Sequence, residues 1–272
     1  SLFSIDLCAY AVMSNHYHLV VRLNPAEPDR WSDDEVLQRW TALFRGTLLV
    51  QRYRAGESLS SAEQNTVRGT AAVYRNRLGC LSWFMKCLNE PIARRANAED
   101  RCTGQFWEAR FKSQPLRSER ALLTAMAYVD LNPVRAGIAL SPEASEYTSI
   151  RVRLQGDDWR HTRSGPVKEM LERGELRHFA TSIRPLLGFA DSVGPSAGTD
   201  PASAGLPIRE EDYLQLVGAT GRFVARGRRS RIDPSLAPIL DRLGLSPLLW
   251  TQASTAFRKH YYDGHLRLTK TA

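Results

Sequence analysis

No run of apolar residues in this 272-residue chain comes near the roughly 20 needed to span a bilayer, so a membrane-spanning helix is not expected. No secretory signal pattern opens it either. Cysteine is scarce: Cys8, Cys80, Cys87 and Cys102 form no C-x-x-C pair and have no histidine at zinc-finger spacing. That argues against a disulfide framework or a structural zinc site, and for a reduced, cytoplasmic protein with the cysteines as structural residues. There is no internal repeat. The chain opens on Ser1, without methionine, and runs at once into strand-like residues, so an N-terminal piece is expected to be missing.

What is present is an ordinary globular composition, 43% hydrophobic and 24% charged, with a net charge of +8. The balance favours a polyanionic partner, although many proteins with no such partner share it. The length allows one substantial domain and a smaller second module.

Leu2 to Leu23 reads as two apolar, β-prone runs broken at Ser14-Asn15, the pattern of a hairpin. From Asp29 to about Asn97 the pattern becomes helical and polar. Ser32 is placed to cap an acidic first turn, and residues 55–66 interrupt the helices as a loop. Gly104 to Leu116 alternates, with Trp107, Ala109 and Phe111 on one face and Glu108, Arg110 and Lys112 on the other, which predicts a half-buried strand. Ser118 to Leu131 predicts a helix that Asn132-Pro133 ends or kinks. Residues 190–206 are small, Pro- and Gly-rich and read as a linker. Past it, residues 207–272 carry the basic cluster Arg222, Arg226, Arg228, Arg229 and Arg231 and patterns for two or three short helices.

Two places could carry chemistry. In a strand, His16 and His18 would point to one face, roughly 6.5–7 Å apart along the chain, while Tyr17, Leu19 and Val21 face a packed layer. Two imidazoles so placed can bind one divalent cation; two surface histidines would read the same. Tyr128 precedes Asn132 by four residues, on one helical face. A tyrosine hydroxyl can be a phosphoryl-transfer nucleophile and an asparagine oxygen a hard metal ligand. Equally, the tyrosine can be a core residue with a polar tip and the asparagine a helix cap. His161, His178, His260 and His265 show no ligand spacing and are taken as structural.

The blocks MSNHYHLVV (13–21), GQFWEARFKS (104–113) and AYVDLNPVRAGI (127–138) decide between these readings. In this order they resemble the REP-associated tyrosine transposases, within the single-tyrosine, histidine–hydrophobic–histidine transposases. The resemblance covers roughly residues 1–150. It implies an α+β fold: an antiparallel, ferredoxin-like sheet flanked by helices, whose first strand would precede residue 1. It also implies a catalytic domain over 1–189 with residues 26–97 as a helical insertion, followed by the linker and a small basic helical module.

By the same resemblance, His16, His18 and, as third ligand, Asn132 would hold Mg²⁺ or Mn²⁺. Tyr128 would attack a single-stranded DNA phosphate, leaving a 5′-phosphotyrosine link and a free 3′-hydroxyl, as in DNA transposition and recombination. Arg94, Arg95, Arg101, Arg110, Lys112 and Arg135 would contact the DNA backbone. Trp83, Phe106 and Trp107 could stack on unpaired bases, with core packing the competing role for Trp107. The partner would be single-stranded or hairpin DNA, the enzyme a monomer or homodimer. A non-catalytic hairpin-binding descendant, or a metal-dependent phosphodiesterase that makes no tyrosine adduct, would share many of these features.

Overall fold

A computed structural model describes residues 2–155, 186–191, 205–225 and 240–250, apart from 242 and 249. The architecture is α+β: a two-stranded antiparallel sheet with helices. Strands β1 (Ile5–Val12) and β2 (Tyr17–Leu23) are joined by a four-residue turn closed by the Met13 amide donating to the His16 carbonyl at 2.8 Å. The hairpin expected over Leu2–Leu23 is therefore present. Its turn falls at the polar Ser14-Asn15, where two exposed side chains interrupt the apolar alternation. The chain divides into two compact units: residues 1–6, 22–113 and 165–184 form one, and residues 7–21, 114–164 and 185–272 the other.

The first unit holds the helices expected over residues 26–97. These are α1 (Asp33–Thr41), α2 (Leu48–Arg54), α3 (Ser61–Leu78) and α4 (Leu81–Glu99). Ser32 caps α1 by accepting from the Glu35 amide, as its sequence position predicts. Ser60 and Glu63 form a reciprocal capping box on α3, so the loop expected over 55–66 ends earlier, at residue 60. Trp40 stacks on Tyr74 at 4.3 Å within a core that includes Val36, Leu37, Val67 and Leu78. Arg75 ties α3 to the approach of α1, donating to the carbonyls of Pro28 and Trp31 and to Asp33. At the hairpin's outer end Asp6 accepts from Arg22 and from Asn24, both at 2.7 Å.

The second unit is built around α5 (Glu119–Asp130), capped by Ser118. It is buried from Leu123 to Asp130 along both of its faces. A one-residue break at Leu131 leads into the single turn α6 (Asn132–Arg135), in agreement with the expected effect of Pro133. Helices α7 (Ser149–Gln155) and α8 (Glu210–Ala225) complete the unit. On the edge of β1 away from β2, Val12 donates to the Tyr147 carbonyl and the Leu187 amide donates to Leu7. Ala11 also forms an antiparallel bridge with Thr148. Side chains of β1, β2, α5 and α8 share one core, including Ala9, Val20, Met126, Leu131, Tyr213 and Leu216. Gly221 lets α8 approach closely, since a Cβ there would lie 3.0 Å from Pro142 and 3.1 Å from Leu131.

Asp130 is the polar centre of this core. It is wholly inaccessible, yet its carboxylate accepts from the Ser149 hydroxyl, the Ile150 amide at 2.9 Å and the Tyr213 hydroxyl at 2.5 Å. One side chain thus fastens the end of α5 to the start of α7 and to α8. Burial pushes its carboxyl up to about 6, against the opposing pull of these donors and of the Arg153 charge. Tyr213 is raised well above its ordinary range, first by burial and then by the Asp130 charge.

Three expectations need correction. Residues 104–116 form no strand: the segment from Cys102 to Arg117 is irregular. Its alternation survives only in part, because Trp107 and Phe111 are half-buried but Ala109 is exposed. The Trp107 indole instead donates to the Asn89 carbonyl of α4 at 3.0 Å, so a helix face rather than a neighbouring strand satisfies it. Second, a ferredoxin-like sheet needs more strands than the two found among the described residues. Third, α8 shares the core of α5 instead of forming a module of its own, although the linker at 192–204 and Arg226, Arg228, Arg229 and Arg231 lie outside the described residues, as do His161, His178, His260 and His265. Among the described residues no helix is long and apolar enough to cross a membrane.

Replacing Asp130 by Ala would leave two hydroxyls and an amide without their acceptor, and is expected to lower the urea-unfolding free energy by about 3 kcal/mol. Because the folded carboxyl titrates above the ordinary value near 3.8, its contribution is full below about pH 4 and lost as pH rises through about 6. Stability curves of the wild type should therefore fall across that window, and those of Asp130→Asn should lack that component.

Candidate active site at the hairpin turn

The hairpin turn and α5 belong to the same unit and bring three of the expected residues together. His16 ends the turn, immediately before β2, and His18 is the second residue of that strand. Their rings stand 5.0 Å apart, centroid to centroid, and nearly perpendicular. The His18 ring is in turn 5.9 Å from that of Tyr128, again edge to face. The i, i+2 spacing in extended backbone accounts for the first contact. The second requires β2 to lie against α5.

That packing corrects the sequence-based assignment of faces. Val20, on the same side of β2 as His18, is buried in the core with Tyr128, whereas Tyr17, Leu19 and Val21 are half-buried. Alternation fixes which residues share a face but not which face is covered. The histidines therefore sit at the rim of the packed face, with His16 exposed and His18 half-buried.

Asn15, not singled out by the motif, orients His16. The Asn15 side-chain carbonyl lies 2.7 Å from His16 Nδ1. A carbonyl oxygen only accepts, so the imidazole proton is on Nδ1 and the Nε2 lone pair faces elsewhere. A polar residue immediately beside a histidine at a turn is the signal that could have drawn attention to it.

Tyr128 is 7% exposed. Asn132 follows one turn later and is 8% exposed. Ordinary helical bonds from Leu131 to Ala127 and from Arg135 to Leu131, both 3.0 Å, carry the helical phase across the break. Asn132 is the first residue of α6 and not its cap. Arg135 brings its guanidinium over the Tyr128 ring at 4.9 Å, a cation on the aromatic face.

The other basic residues of the expected DNA surface belong to the first unit. On α4, Arg94 pairs with Glu90 and Arg95 with Glu99 at i, i+4 spacing. Each exposed guanidinium thus stands beside a carboxylate that partly offsets its charge. Arg101 follows α4 in a left-handed conformation, φ 51°, and Arg110 and Lys112 are exposed in the irregular segment. Trp83 is half-buried, between Arg77 at 4.4 Å and Lys86 at 4.8 Å from its ring. Phe106 is 43% exposed and packs edge-on against Trp107.

Chemically, the turn and α5 offer two imidazole nitrogen donors and a phenol within one group of touching rings. Among the described residues no set of three His, Cys, Asp or Glu side chains is placed to hold a metal ion, so any third protein ligand here would be of another kind, such as an amide.

Replacing Arg135 by Ala removes the cation from the Tyr128 ring and is expected to cost about 0.5–1 kcal/mol in thermal or chemical unfolding. A scan against protein-family models matches none, and searches of curated proteins and of solved structures return no match either.

Proposed function

We propose that this chain is a metal-dependent nickase and strand-transfer enzyme for single-stranded DNA, acting at palindromic or hairpin-bearing sites. The observation that carries the reading is the contact series His16–His18–Tyr128, with ring centroids 5.0 and 5.9 Å apart. These residues come from segments more than a hundred positions apart, and together they match the transposase blocks in the sequence.

In this reading Tyr128 Oη attacks a backbone phosphorus. The new tyrosyl O–P bond replaces the bond to the 3′-oxygen, which leaves as a hydroxyl after taking up a proton, while the phenol gives one up. The product is a 5′-phosphotyrosine link that a 3′-hydroxyl can reverse, which makes the same site competent for strand transfer. A divalent cation would supply charge neutralisation at the reacting phosphate. His16 suits such an ion because Asn15 occupies its Nδ1 proton and leaves Nε2 as donor, a tautomer arrangement common behind metal-binding imidazoles. His18 would give the second nitrogen and Asn132 an amide oxygen, a donor set that accepts Mn²⁺ as readily as Mg²⁺. Arg135 holds the nucleophile's ring by its face and brings positive charge to the approach of the DNA backbone.

Incubation with labelled single-stranded DNA carrying a hairpin, with Mn²⁺, should yield a protein–DNA adduct stable on a denaturing gel. Tyr128→Phe should abolish it. Cleavage without adduct, or an adduct surviving the Phe substitution, would overturn the assignment of Tyr128. Hairpin binding with neither cleavage nor adduct would leave a non-catalytic binder. Calorimetric titration with Mn²⁺ tests the ligand set separately. His16→Ala and His18→Ala should lose binding, and Asn15→Ala should weaken it about tenfold.

A further inference from the structure

A cleft of about 570 Å³ opens beside the hairpin turn, within the second unit. Its volume lies inside the roughly 300–1,000 Å³ usual for small-molecule sites. Its lining is mostly apolar, from Val12, Met13, Pro133 and Ile138, with Glu146 and Tyr147 among the remainder. We infer that this cleft seats one unpaired DNA base, and that Tyr147 and Glu146 select which base enters. The inference rests on the reading of the neighbouring site as one that handles single-stranded DNA.

The position favours a nucleotide next to the reacting one. Met13 and Ser14 belong to the turn whose Met13–His16 bond carries the first histidine, and Pro133 adjoins Asn132. The cleft and the candidate active site therefore share the turn on one side and α6 on the other.

Tyr147 is presented, not buried. Its side chain is 71% exposed, and its backbone is held at φ 35°, a left-handed conformation that costs a bulky residue energy. Its carbonyl accepts from Val12 at 3.0 Å, and the following Thr148 bridges to Ala11 and bonds Ser145. The backbone thus fixes the ring from both sides while the ring itself lies largely in solvent. An aromatic ring at the wall of an apolar cleft is a stacking platform for a base.

Glu146 supplies the choice. Among the described residues its carboxylate has no hydrogen-bond or ion-pair partner, and it is the only charged side chain of the lining. A carboxylate repels the phosphate backbone, so the base and not the phosphate is the part that fits. Two carboxylate oxygens match the adjacent N1–H and N2–H donors of guanine. Adenine and cytosine offer one amino group, and thymine an N–H flanked by two repelling carbonyls.

The test needs neither metal nor cleavage. The full chain, labelled at the Met13 and Ile138 methyl groups, is titrated in metal-free buffer with three hexanucleotides. These are all-thymine, thymine with one central guanine, and thymine with one central abasic position. The guanine strand should shift both methyl signals saturably and bind about tenfold more tightly than the other two. Tyr147→Ala should weaken it about tenfold and Tyr147→Phe should not. Glu146→Gln should abolish the preference for guanine over thymine. Silent methyl signals, equal binding of the guanine and abasic strands, or an unaffected Tyr147→Ala would overturn the inference. So would shifts that track protein concentration instead of DNA, since a second copy would then occupy the cleft. Methyl shifts without any Tyr128 adduct would keep the base site and sink the nickase; an adduct with silent methyls would do the reverse.

Discussion

Burial of one carboxylate organises the part of this protein that matters for its chemistry. Asp130 leaves water completely, which is costly for a charge, and is tolerated because two hydroxyls and an amide turn toward it. Each donor comes from a different stretch of chain than α5. The side chain therefore fixes the helix end that carries Tyr128 two residues earlier and Asn132 two residues later. Apolar packing alone would let α5 slide or rotate against its neighbours at modest cost; three converging hydrogen bonds do not.

The hairpin supplies the other half of the geometry through much weaker means. A four-residue turn with one backbone bond, and one side-chain bond from His16 to Asn15, decide where the imidazoles stand. The contrast is useful. The nucleophile's helix is anchored in a dry core, while the nitrogen donors stand at an exposed rim where an ion or a phosphate can reach them. Arg153 links the two regions, donating to the Cys8 carbonyl of β1 at 2.8 Å from within α7. The resulting frame ties β1 to the helix that Asp130 caps.

Much of the local structure was legible in the residues. Ser32 and Ser118 announced helix starts, Ser14-Asn15 a turn, and Pro133 a break, because each acts through bonds within a few positions. The meeting of His18 with Tyr128 was legible only through motif resemblance, since periodicity cannot say which elements face each other. Two failures have the same root. Alternation in 104–116 suggested a strand, but a strand needs a partner, and Trp107 found a helix carbonyl instead. The covered face of β2 was assigned to Tyr17, Leu19 and Val21 when Val20 marks it. Asp130 was invisible as a structural centre, because an acidic residue near a helix end is ordinarily solvent-facing.

The Asp130 tie also has a consequence for the order in which the protein is made. Its partners lie 19, 20 and 83 residues further along the chain, at Ser149, Ile150 and Tyr213. During synthesis both histidines and Tyr128 emerge long before α8, yet the helix that carries the tyrosine cannot be locked until α8 arrives. Closing so long a loop makes this a late and comparatively slow event in folding. A nascent chain halted before α8 would display every residue of the candidate site and lack the frame that aligns them, which keeps a DNA-cutting arrangement from forming on an unfinished protein.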